Sequence, residues 1–161
     1  MISNIEKYIK DVSNFPKPNI TFKDISPLLS SNYFYEAIND MSSLIEIPDY
    51  WVGIDSRGFI FASALSIHTK KGMIMCRKKG KLPPPVISES YSLEYGEDTL
   101  EIKPGVGKVV IVDDVYATGG TMKAVEKLCE KAGYTVIDKL VLIDLKYLNR
   151  DTNIKSLIQY E

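Results

Sequence analysis

Two stretches of the chain alternate between short apolar runs and amphipathic runs of helical spacing, and this alternation restricts the fold more than any other feature. In the first stretch, residues 51–54 predict a strand, 59–70 a helix and 73–76 a second strand. The same order recurs as a strand over 108–112, a helix over 119–132 and a strand over 135–143. Because a strand reached through a crossover helix lies parallel to the previous one, the sequence predicts an α/β fold: a mainly parallel twisted sheet flanked by helices.

The segments outside these two units have different patterns. Apolar residues over 2–12 recur at helical spacing and predict a short N-terminal helix, which two following prolines end. A second helix is expected to begin at Asn32 and to end at Pro48. Residues 80–103 combine a triple proline, an alternating run and a YGED turn, which predicts a protruding hairpin. An excursion of this length in a small domain is usually functional or disordered.

The bulk properties of the 161 residues exclude several classes of partner. With 20 basic and 21 acidic residues the net charge is −1, so no overall field favours nucleic acid or a membrane surface. No apolar run approaches the ~20 residues of a membrane span, and the first residues lack the apolar core of a signal peptide. Cys76 and Cys129 each lie within an apolar run, which favours buried free thiols over a disulfide. We therefore expect a cytoplasmic protein.

The first candidate site is the stretch VVIVDDVYATGGT at residues 109–121. An apolar strand ends on two carboxylates, Asp113 and Asp114. A loop of small residues follows and leads into the predicted helix: Ala117, Thr118, Gly119, Gly120 and Thr121. Free N–H groups and the helix dipole favour an anion at such a loop, and glycines let the backbone approach it closely. A lone TGG is more often a capped turn, but the acidic pair at the end of a strand favours a binding site.

A strand that ends in aspartate also occurs in nucleoside triphosphatases. That interpretation requires the phosphate-binding motif G-x-x-x-x-G-K-[ST], which the sequence lacks, and the dinucleotide motif G-x-G-x-x-G is missing as well. The chain has a single histidine, His68, which excludes histidine-based triads and multi-histidine zinc sites. The motif search therefore leaves the loop at 117–121 as an anion site of another class.

Two further candidates fall at the same predicted edge of the sheet. Asp55, Ser56 and Arg57 follow the first strand, and the planar guanidinium of Arg57 can bind a phosphate with two hydrogen bonds. Four cations follow the next strand: Arg77, Lys78, Lys79 and Lys81. Such cations are usually only solvated, but the shared edge favours contact with a polyphosphate. The run is too short to suggest nucleic acid.

The fourth candidate is the hairpin sequence SESYSLEYG at residues 88–96. Its glutamates and tyrosines, Glu89, Tyr91, Glu94 and Tyr95, are compatible with a merely exposed flap. A glutamate on a lid that closes over substrate is also a common acid–base group, since closure excludes water. The residues alone leave both interpretations open.

Together these segments resemble the type I phosphoribosyltransferases and, within them, the adenine-specific enzymes. VVIVDDVYATGGT is similar to the family's signature for phosphoribosyl pyrophosphate. The segments FPKPNITFKDISPLL, GIDSRGFIF, RKKGKLP, YSLEYGEDTLEI and LIQYE match the adenine-specific members in the same order and at nearly the same spacing. The resemblance implies purine salvage, in which adenine and phosphoribosyl pyrophosphate give AMP and pyrophosphate.

The resemblance also implies the cofactor and the organisation of the chain. The cofactor would be Mg²⁺, held mainly by the substrate, so that no direct metal ligand is expected in the protein. The chain would be a single domain over 1–161, with a base-binding segment at 1–30 and a flexible catalytic hairpin at 80–103. A homodimer is implied as well.

The resemblance assigns roles to the candidate residues. The loop from Ala117 to Thr121 would hold the 5′-phosphate, with Asp113 and Asp114 facing the ribose hydroxyls. Pyrophosphate would be bound by residues of the two other loops, where the family often has a cis peptide after residue 55: Asp55, Ser56, Arg57, Arg77, Lys78 and Lys81. Glu94 would handle the proton of the base as its N9 attacks C1′, and Tyr95 would close over the site.

For the base, the resemblance implies stacking on Phe22 and against Leu145, with backbone groups of Thr21 and Lys23 reading the adenine edge. A fixed carbonyl accepts from N6–H₂ and a fixed N–H donates to N1, whereas hypoxanthine inverts both groups.

Several positions depart from the family pattern. Asn19 stands where glycine is usual, and asparagine tolerates a left-handed backbone. Thr21 is more polar than the usual residue. Lys23 replaces a common arginine, which is harmless if only its backbone reads the base. Tyr116 is bulky within a loop where small aliphatic residues are typical, so it could reshape access to the phosphate site.

Two alternatives remain beside the adenine enzyme. A hypoxanthine, guanine or xanthine phosphoribosyltransferase would use the same chemistry, but the YSLEYG and FKDISP segments argue against it. A regulator that senses phosphoribosyl pyrophosphate would need a DNA-binding module, for which 161 residues with a net charge of −1 leave no room.

Overall fold

The computed structural model describes residues 2–93 and 95–161, and a seven-stranded sheet flanked by helices forms its centre. In chain order the elements are α1 (Ile2–Glu6), β1 (Lys10–Ser13), β2 (Thr21–Asp24), α2 (Ser26–Leu29), α3 (Tyr33–Ser42), β3 (Tyr50–Ile54), α4 (Gly58–Thr69), β4 (Gly72–Lys78), β5 (Ile87–Leu93), β6 (Gly96–Ile102), β7 (Gly107–Tyr116), α5 (Gly120–Lys131), β8 (Tyr134–Leu145), a 3₁₀ turn (Lys146–Leu148) and β9 (Lys155–Tyr160).

The strand order in the sheet is β5-β6-β4-β3-β7-β8-β9. Five strands run parallel, since β3 pairs with β4 and β7, and β8 pairs with β7 and β9. Both predicted strand–helix–strand units are present, as β3-α4-β4 and β7-α5-β8. The predicted fold class is therefore confirmed.

Helices cover both faces of the sheet because neighbouring strand residues point to opposite sides. Trp51 packs with Phe61 of α4 in one apolar cluster, which also includes residues of α1, α2 and α3. Val52, the next residue of β3, packs with Leu128 of α5 in a second cluster. The predicted free thiols are confirmed: Cys76 and Cys129 are both buried, unpaired with each other and part of this second cluster.

The prediction of a helix over residues 2–12 is wrong in its second half. The helix ends at Glu6, and β1 pairs with β2 as an antiparallel ribbon in which Val12 lies opposite Phe22. Two asparagines with positive φ shape the connection between these strands, Asn14 at 54° and Asn19 at 66°. The left-handed backbone expected for Asn19 is thereby confirmed. Helical spacing alone could not reveal a strand whose partner lies ten residues further on.

Strand β7 is longer than predicted. It continues to Tyr116, so that Asp113 and Asp114 lie inside the strand rather than after it. The register with β8 includes the pairs Asp113–Val141 and Tyr116–Asp144. The backbone that carries the two carboxylates therefore lies in a strand beside β8 instead of in a loop.

The hairpin predicted within residues 80–103 is formed by β5 and β6, which are antiparallel with Leu93 opposite Gly96. Its second strand also pairs with β4 at Arg77 and Lys78. The base of the hairpin thus belongs to the main sheet and lies beside the cationic loop that follows β4.

Candidate active site

Three contiguous pockets lie at the carboxyl end of the parallel strands, where ligands bind in open α/β sheets. The cationic pocket has a volume of about 480 Å³, and its lining includes Asp55, Ser56, Arg57, Arg77, Lys78, Lys81, Tyr91, Asp113, Asp114 and Thr121. The glycine-loop pocket, of about 110 Å³, is lined by Asp113, residues 115–121 and Met122. The aromatic pocket, of about 300 Å³, is lined by residues that include Thr21, Phe22, Lys23, Arg57, Ala117 and Leu145. Val115 borders all three pockets, so one extended ligand can reach from one to the next.

The two aspartates of β7 form the floor between the cationic and glycine-loop pockets. Asp114 is 4% exposed, and its Oδ2 lies 2.5 Å from Nε of Arg57. Asp113 accepts a hydrogen bond of 2.8 Å from the backbone N–H of Asp114. Burial, and secondarily the charge of Asp114, raise the pKa of Asp113 well above its usual value, while Arg57 opposes this shift. Asp114 is therefore paired with an arginine, whereas Asp113 keeps its proton to a higher pH.

The glycine loop connects β7 to α5 and presents the N-terminus of a twelve-residue helix. Gly119 precedes the helix with φ of 95°, a left-handed conformation that favours glycine. Thr118 and Gly120 are exposed, and Thr121 lies at the border with the cationic pocket. The loop thus offers backbone N–H groups and a hydroxyl to an anion.

The first loop of the cationic pocket begins α4 directly beneath β7. The peptide bond between Asp55 and Ser56 is cis, as the resemblance implied. A Cβ atom at Gly58 would lie 2.7 Å from the carbonyl oxygen of Val112 and 3.2 Å from Oδ1 of Asp113. Only glycine therefore lets the helix approach the acidic pair this closely.

Arg77 and Lys78 lie at the end of β4 rather than after it, and this end and the loop that follows are tied to the first loop through Asp55. Its Oδ2 lies 3.5 Å from Nε of Arg77 and accepts a hydrogen bond of 3.4 Å from the backbone of Lys78. The loop is also held by Glu101 of β6, which is 7% exposed and accepts a 2.9 Å hydrogen bond from the backbone of Gly80. Arg57, Arg77, Lys78 and Lys81 consequently surround one cavity within a single chain.

Phe22 and Leu145, the two residues expected to contact the base, are among the walls of the aromatic pocket. The Lys23 ammonium points away, since it binds Asp11 at 2.6 Å and lies 3.8 Å from the ring centroid of Tyr160. This side chain is thus engaged elsewhere. The Arg57 guanidinium lies 5.3 Å from the Phe22 ring centroid, so this one residue borders both the aromatic and the cationic pockets.

Of the described candidate residues on the hairpin, one contributes to the cationic pocket. Tyr91 lines the cationic pocket, and its hydroxyl accepts a long hydrogen bond of 3.5 Å from Thr121. It belongs to the YSLEYG segment, so the sequence contained a signal for it. Tyr95 is 83% exposed, and the Lys17 ammonium lies 5.3 Å from its ring centroid. Glu94, the predicted acid–base residue, lies outside the described residues.

A feature that sequence reasoning missed is the segment after β8. Tyr147 and Leu148 line the aromatic pocket, and the Asn149 side chain donates a 2.9 Å hydrogen bond to the carbonyl of Ala117. Nothing in the local pattern indicated this contact, since it joins positions 32 residues apart. Tyr116, the bulky residue of the loop sequence, is 3% exposed, borders the glycine-loop pocket and has its hydroxyl against Gly119.

Among the described residues, no three side chains of histidine, cysteine, aspartate or glutamate are grouped so as to hold a metal ion. A Mg²⁺ ion commonly binds through one or two carboxylates together with substrate phosphates. Asp113 and Asp114 beside the cationic pocket fit that mode of binding. In the same described part of the chain, no helix is long and apolar enough to cross a membrane.

Comparison with known proteins agrees with this geometry. The family model "Phosphoribosyl transferase domain" matches residues 32–155. The adenine phosphoribosyltransferase of Bdellovibrio bacteriovorus is 46% identical over 98% of this chain and 99% of its own length.

Solved structures give the same result. A crystal structure of adenine phosphoribosyltransferase from Thermoanaerobacter pseudethanolicus has a TM-score of 0.92 and 37% identity, covering 99% of this chain and 100% of that one. The Saccharomyces cerevisiae enzyme, complexed with an imino-altritol bisphosphate and adenine, has a TM-score of 0.84 and 31% identity, covering 91% and 90% of the two chains. This chain therefore belongs to the adenine phosphoribosyltransferases.

Proposed function

We propose that the three pockets hold the parts of phosphoribosyl pyrophosphate and adenine during purine salvage, in which AMP and pyrophosphate form. The observation that supports this most directly is the contiguity of an anion-binding glycine loop, an acidic floor, a cationic pocket and an aromatic pocket, all bordered by Val115. A ligand with two phosphate ends and a sugar between them matches the first three. The adenine in the yeast enzyme supports the assignment of the fourth.

In the proposal the glycine loop, from Ala117 to Thr121, binds the 5′-phosphate through backbone N–H groups and threonine hydroxyls. Asp113 and Asp114 face the ribose hydroxyls. Pyrophosphate binds in the cationic pocket, where Arg57 must exchange its 2.5 Å contact with Asp114 for contacts to phosphate oxygens. Asp55 positions the end of β4 and the loop that follows by holding Arg77 and the backbone of Lys78, and Ser56 and Lys81 complete the pocket.

The reaction forms the bond between adenine N9 and C1′ and breaks the bond between C1′ and the pyrophosphate oxygen. Negative charge develops on the leaving pyrophosphate, where Arg57, Arg77 and Lys78 stabilise it. Positive charge develops at the sugar, close to the two aspartates. Mg²⁺, when bound with the substrate, neutralises further phosphate charge.

Adenine lies in the aromatic pocket, between the ring of Phe22 and the side chain of Leu145. Backbone groups of Thr21 and Lys23 read its edge, which agrees with the Lys23 side chain being bound to Asp11. Glu94 accepts the proton that leaves the base, and Tyr95 covers the site. The Lys17 ammonium, 5.3 Å from the Tyr95 ring centroid, supports the role of Tyr95, because Lys17 belongs to the base-binding segment 1–30.

We infer a single domain over 1–161, a flexible hairpin within 80–103 and a homodimer. The two buried free cysteines support a reducing compartment such as the cytoplasm.

Incubation of the protein with phosphoribosyl pyrophosphate, Mg²⁺ and each purine base in turn tests the function. We expect AMP from adenine and at least a hundredfold lower turnover of hypoxanthine, because inverted donors and acceptors would leave buried groups unpaired. The proposal fails if adenine yields no AMP, and a preference for hypoxanthine or guanine would show that only the choice of base is wrong.

A further inference from the structure

The hydroxyl group of Tyr116 is buried directly behind the glycine loop. Tyr116 is 3% exposed at the end of β7, and its hydroxyl donates a hydrogen bond to the carboxylate of Asp151. A Cβ atom added to Gly119 would overlap this hydroxyl and would come within 3.2 Å of Oδ2 of Asp151. The tyrosine and the aspartate therefore form the surface against which the centre of the loop rests.

The segment that carries Asp151 contacts the loop at a second point. The Asn149 amide donates to the carbonyl oxygens of Ala117 at 2.9 Å and Leu145 at 3.0 Å, and its own oxygen accepts from the backbone of Asp151 at 3.1 Å. Lys146 donates a 2.6 Å hydrogen bond to the carbonyl of Asp151. Residues 145–151 thus join the glycine loop to the wall of the aromatic pocket.

The charge of Asp151 requires an explanation, because a carboxylate close to an anion loop repels a phosphate. Two contacts offset that charge: the hydroxyl of Tyr116, and the ammonium of Lys123 at 3.8 Å. Burial, and secondarily the hydrogen bond to Asp151, raise the pKa of Tyr116, so its hydroxyl keeps the proton that it donates. The arrangement is therefore stable as a donor–acceptor pair at neutral pH.

We propose that Tyr116 and Asp151 are positioning residues. Their hydrogen bond holds Gly119 and its loop in the shape that binds the 5′-phosphate, and it fixes the position of that loop relative to the aromatic pocket. The inference rests on the proposed function and adds to it two residues whose hydrogen bond lies behind the loop. It also gives a role to the bulky Tyr116, which stands where the resembling family usually has a small aliphatic residue.

The test compares Tyr116→Phe with Tyr134→Phe. Both tyrosines are buried and donate a hydrogen bond, but the partner of Tyr134 is the carbonyl of Lys103 at 3.0 Å, remote from the loop. We expect Tyr116→Phe to raise KM for phosphoribosyl pyrophosphate about tenfold, since a hydrogen bond to a charged group is lost. The KM for adenine should stay within about twofold. Tyr134→Phe should lower the melting temperature about as much as Tyr116→Phe does, but it should leave both KM values unchanged.

A double-mutant cycle adds a readout that a merely structural role would not move. We expect Asp151→Ala to lose as much affinity for phosphoribosyl pyrophosphate as Tyr116→Phe does, and the double variant to bind no more weakly than either single variant. Asp151→Asn should recover part of this affinity, because its amide oxygen can still accept the hydrogen bond. Calorimetric titration with phosphoribosyl pyrophosphate and Mg²⁺, without adenine, measures the same affinities in the absence of turnover. If the wild type made no AMP, the proposed function would fail while this titration still tested the hydrogen bond. Wild-type affinity in Tyr116→Phe, or an equal loss in Tyr134→Phe, overturns the inference.

Discussion

Asp113 and Asp114 are adjacent in β7 but have different electrostatic surroundings. Asp114 has the Arg57 guanidinium against it, whereas Asp113 accepts a hydrogen bond from the backbone N–H of Asp114 and has its pKa raised by burial. The two carboxylates lie together at the cationic pocket, where the charge of Asp114 raises the pKa of Asp113 and Arg57 opposes that shift. An unliganded site can therefore keep two acidic residues beside an anion loop, since one is paired and the other binds a proton more readily.

The raised pKa of Asp113 makes a prediction about stability. The folded chain retains this proton to a higher pH than the unfolded chain, so the free energy of unfolding falls as pH rises from the usual aspartate pKa through the raised one. Because asparagine does not titrate, Asp113→Asn removes this fall in the free energy of unfolding. In the absence of ligand, we expect the variant to melt a few degrees above the wild type at pH 8 and to lose that advantage near pH 4.

Thermal melts at several pH values measure this difference, with Glu46→Gln as a control because Glu46 is an exposed carboxylate. An advantage of the Asp113 variant that does not change with pH would contradict the interpretation.

Glu94 gives a second prediction at the scale of one residue. If it accepts the proton of the base, Glu94→Ala should lower kcat by about 10²- to 10⁴-fold, the usual range for a general acid or base. Binding of phosphoribosyl pyrophosphate should persist, because the glycine loop and the cationic pocket are intact. Glu97→Ala, at an exposed position of the same hairpin, is the matched control. Equal turnover in both variants would mean that the hairpin only covers the site.

At the scale of elements, the approach of α4 to β7 determines the shape of the cationic pocket. A Cβ atom at position 58 would lie 2.7 Å from the carbonyl oxygen of Val112, and backbone there cannot move without displacing the strand. We expect Gly58→Ala to shift the start of α4, to weaken binding of pyrophosphate at least tenfold and to lower the melting temperature. Calorimetric titration with pyrophosphate and Mg²⁺ measures the first effect. Ser63→Ala, on the exposed side of the same helix, should bind as the wild type does.

The elements also show what could be predicted from the sequence. Alternating strands and helices determine which loops reach the carboxyl edge of the sheet, so the sequence predicts that Arg57, Arg77 and Thr121 lie at one site. The shortened first helix was missed because β1 exists only through its pairing with β2. The contacts of Asn149 and Asp151 with the glycine loop were missed for the same reason, since hydrogen bonds between positions more than 30 residues apart leave no periodic pattern.

At the scale of the whole molecule, two isoleucines on one side of α4 remain uncovered. Ile60 and Ile67 are two turns apart on this helix and are 37% and 82% exposed. Tyr35 of α3 is 66% exposed and its ring lies edge-on to His68, next to Ile67. An apolar surface that joins two helices is typical of a contact between proteins. A second copy of the chain is the occupant that the proposed homodimer requires.

Replacement of Ile67 by lysine tests this assignment, because a charge at the centre of an apolar interface costs far more than one on a free surface. We expect the wild type to sediment as a dimer and Ile67→Lys as a monomer. Val106→Lys is the control, since Val106 is 83% exposed but lies in the loop before β7. A monomeric wild type, or dissociation of both variants, would exclude this surface as the interface. Since α4 begins at the cationic pocket, we also expect the monomer to bind phosphoribosyl pyrophosphate more weakly than the dimer does.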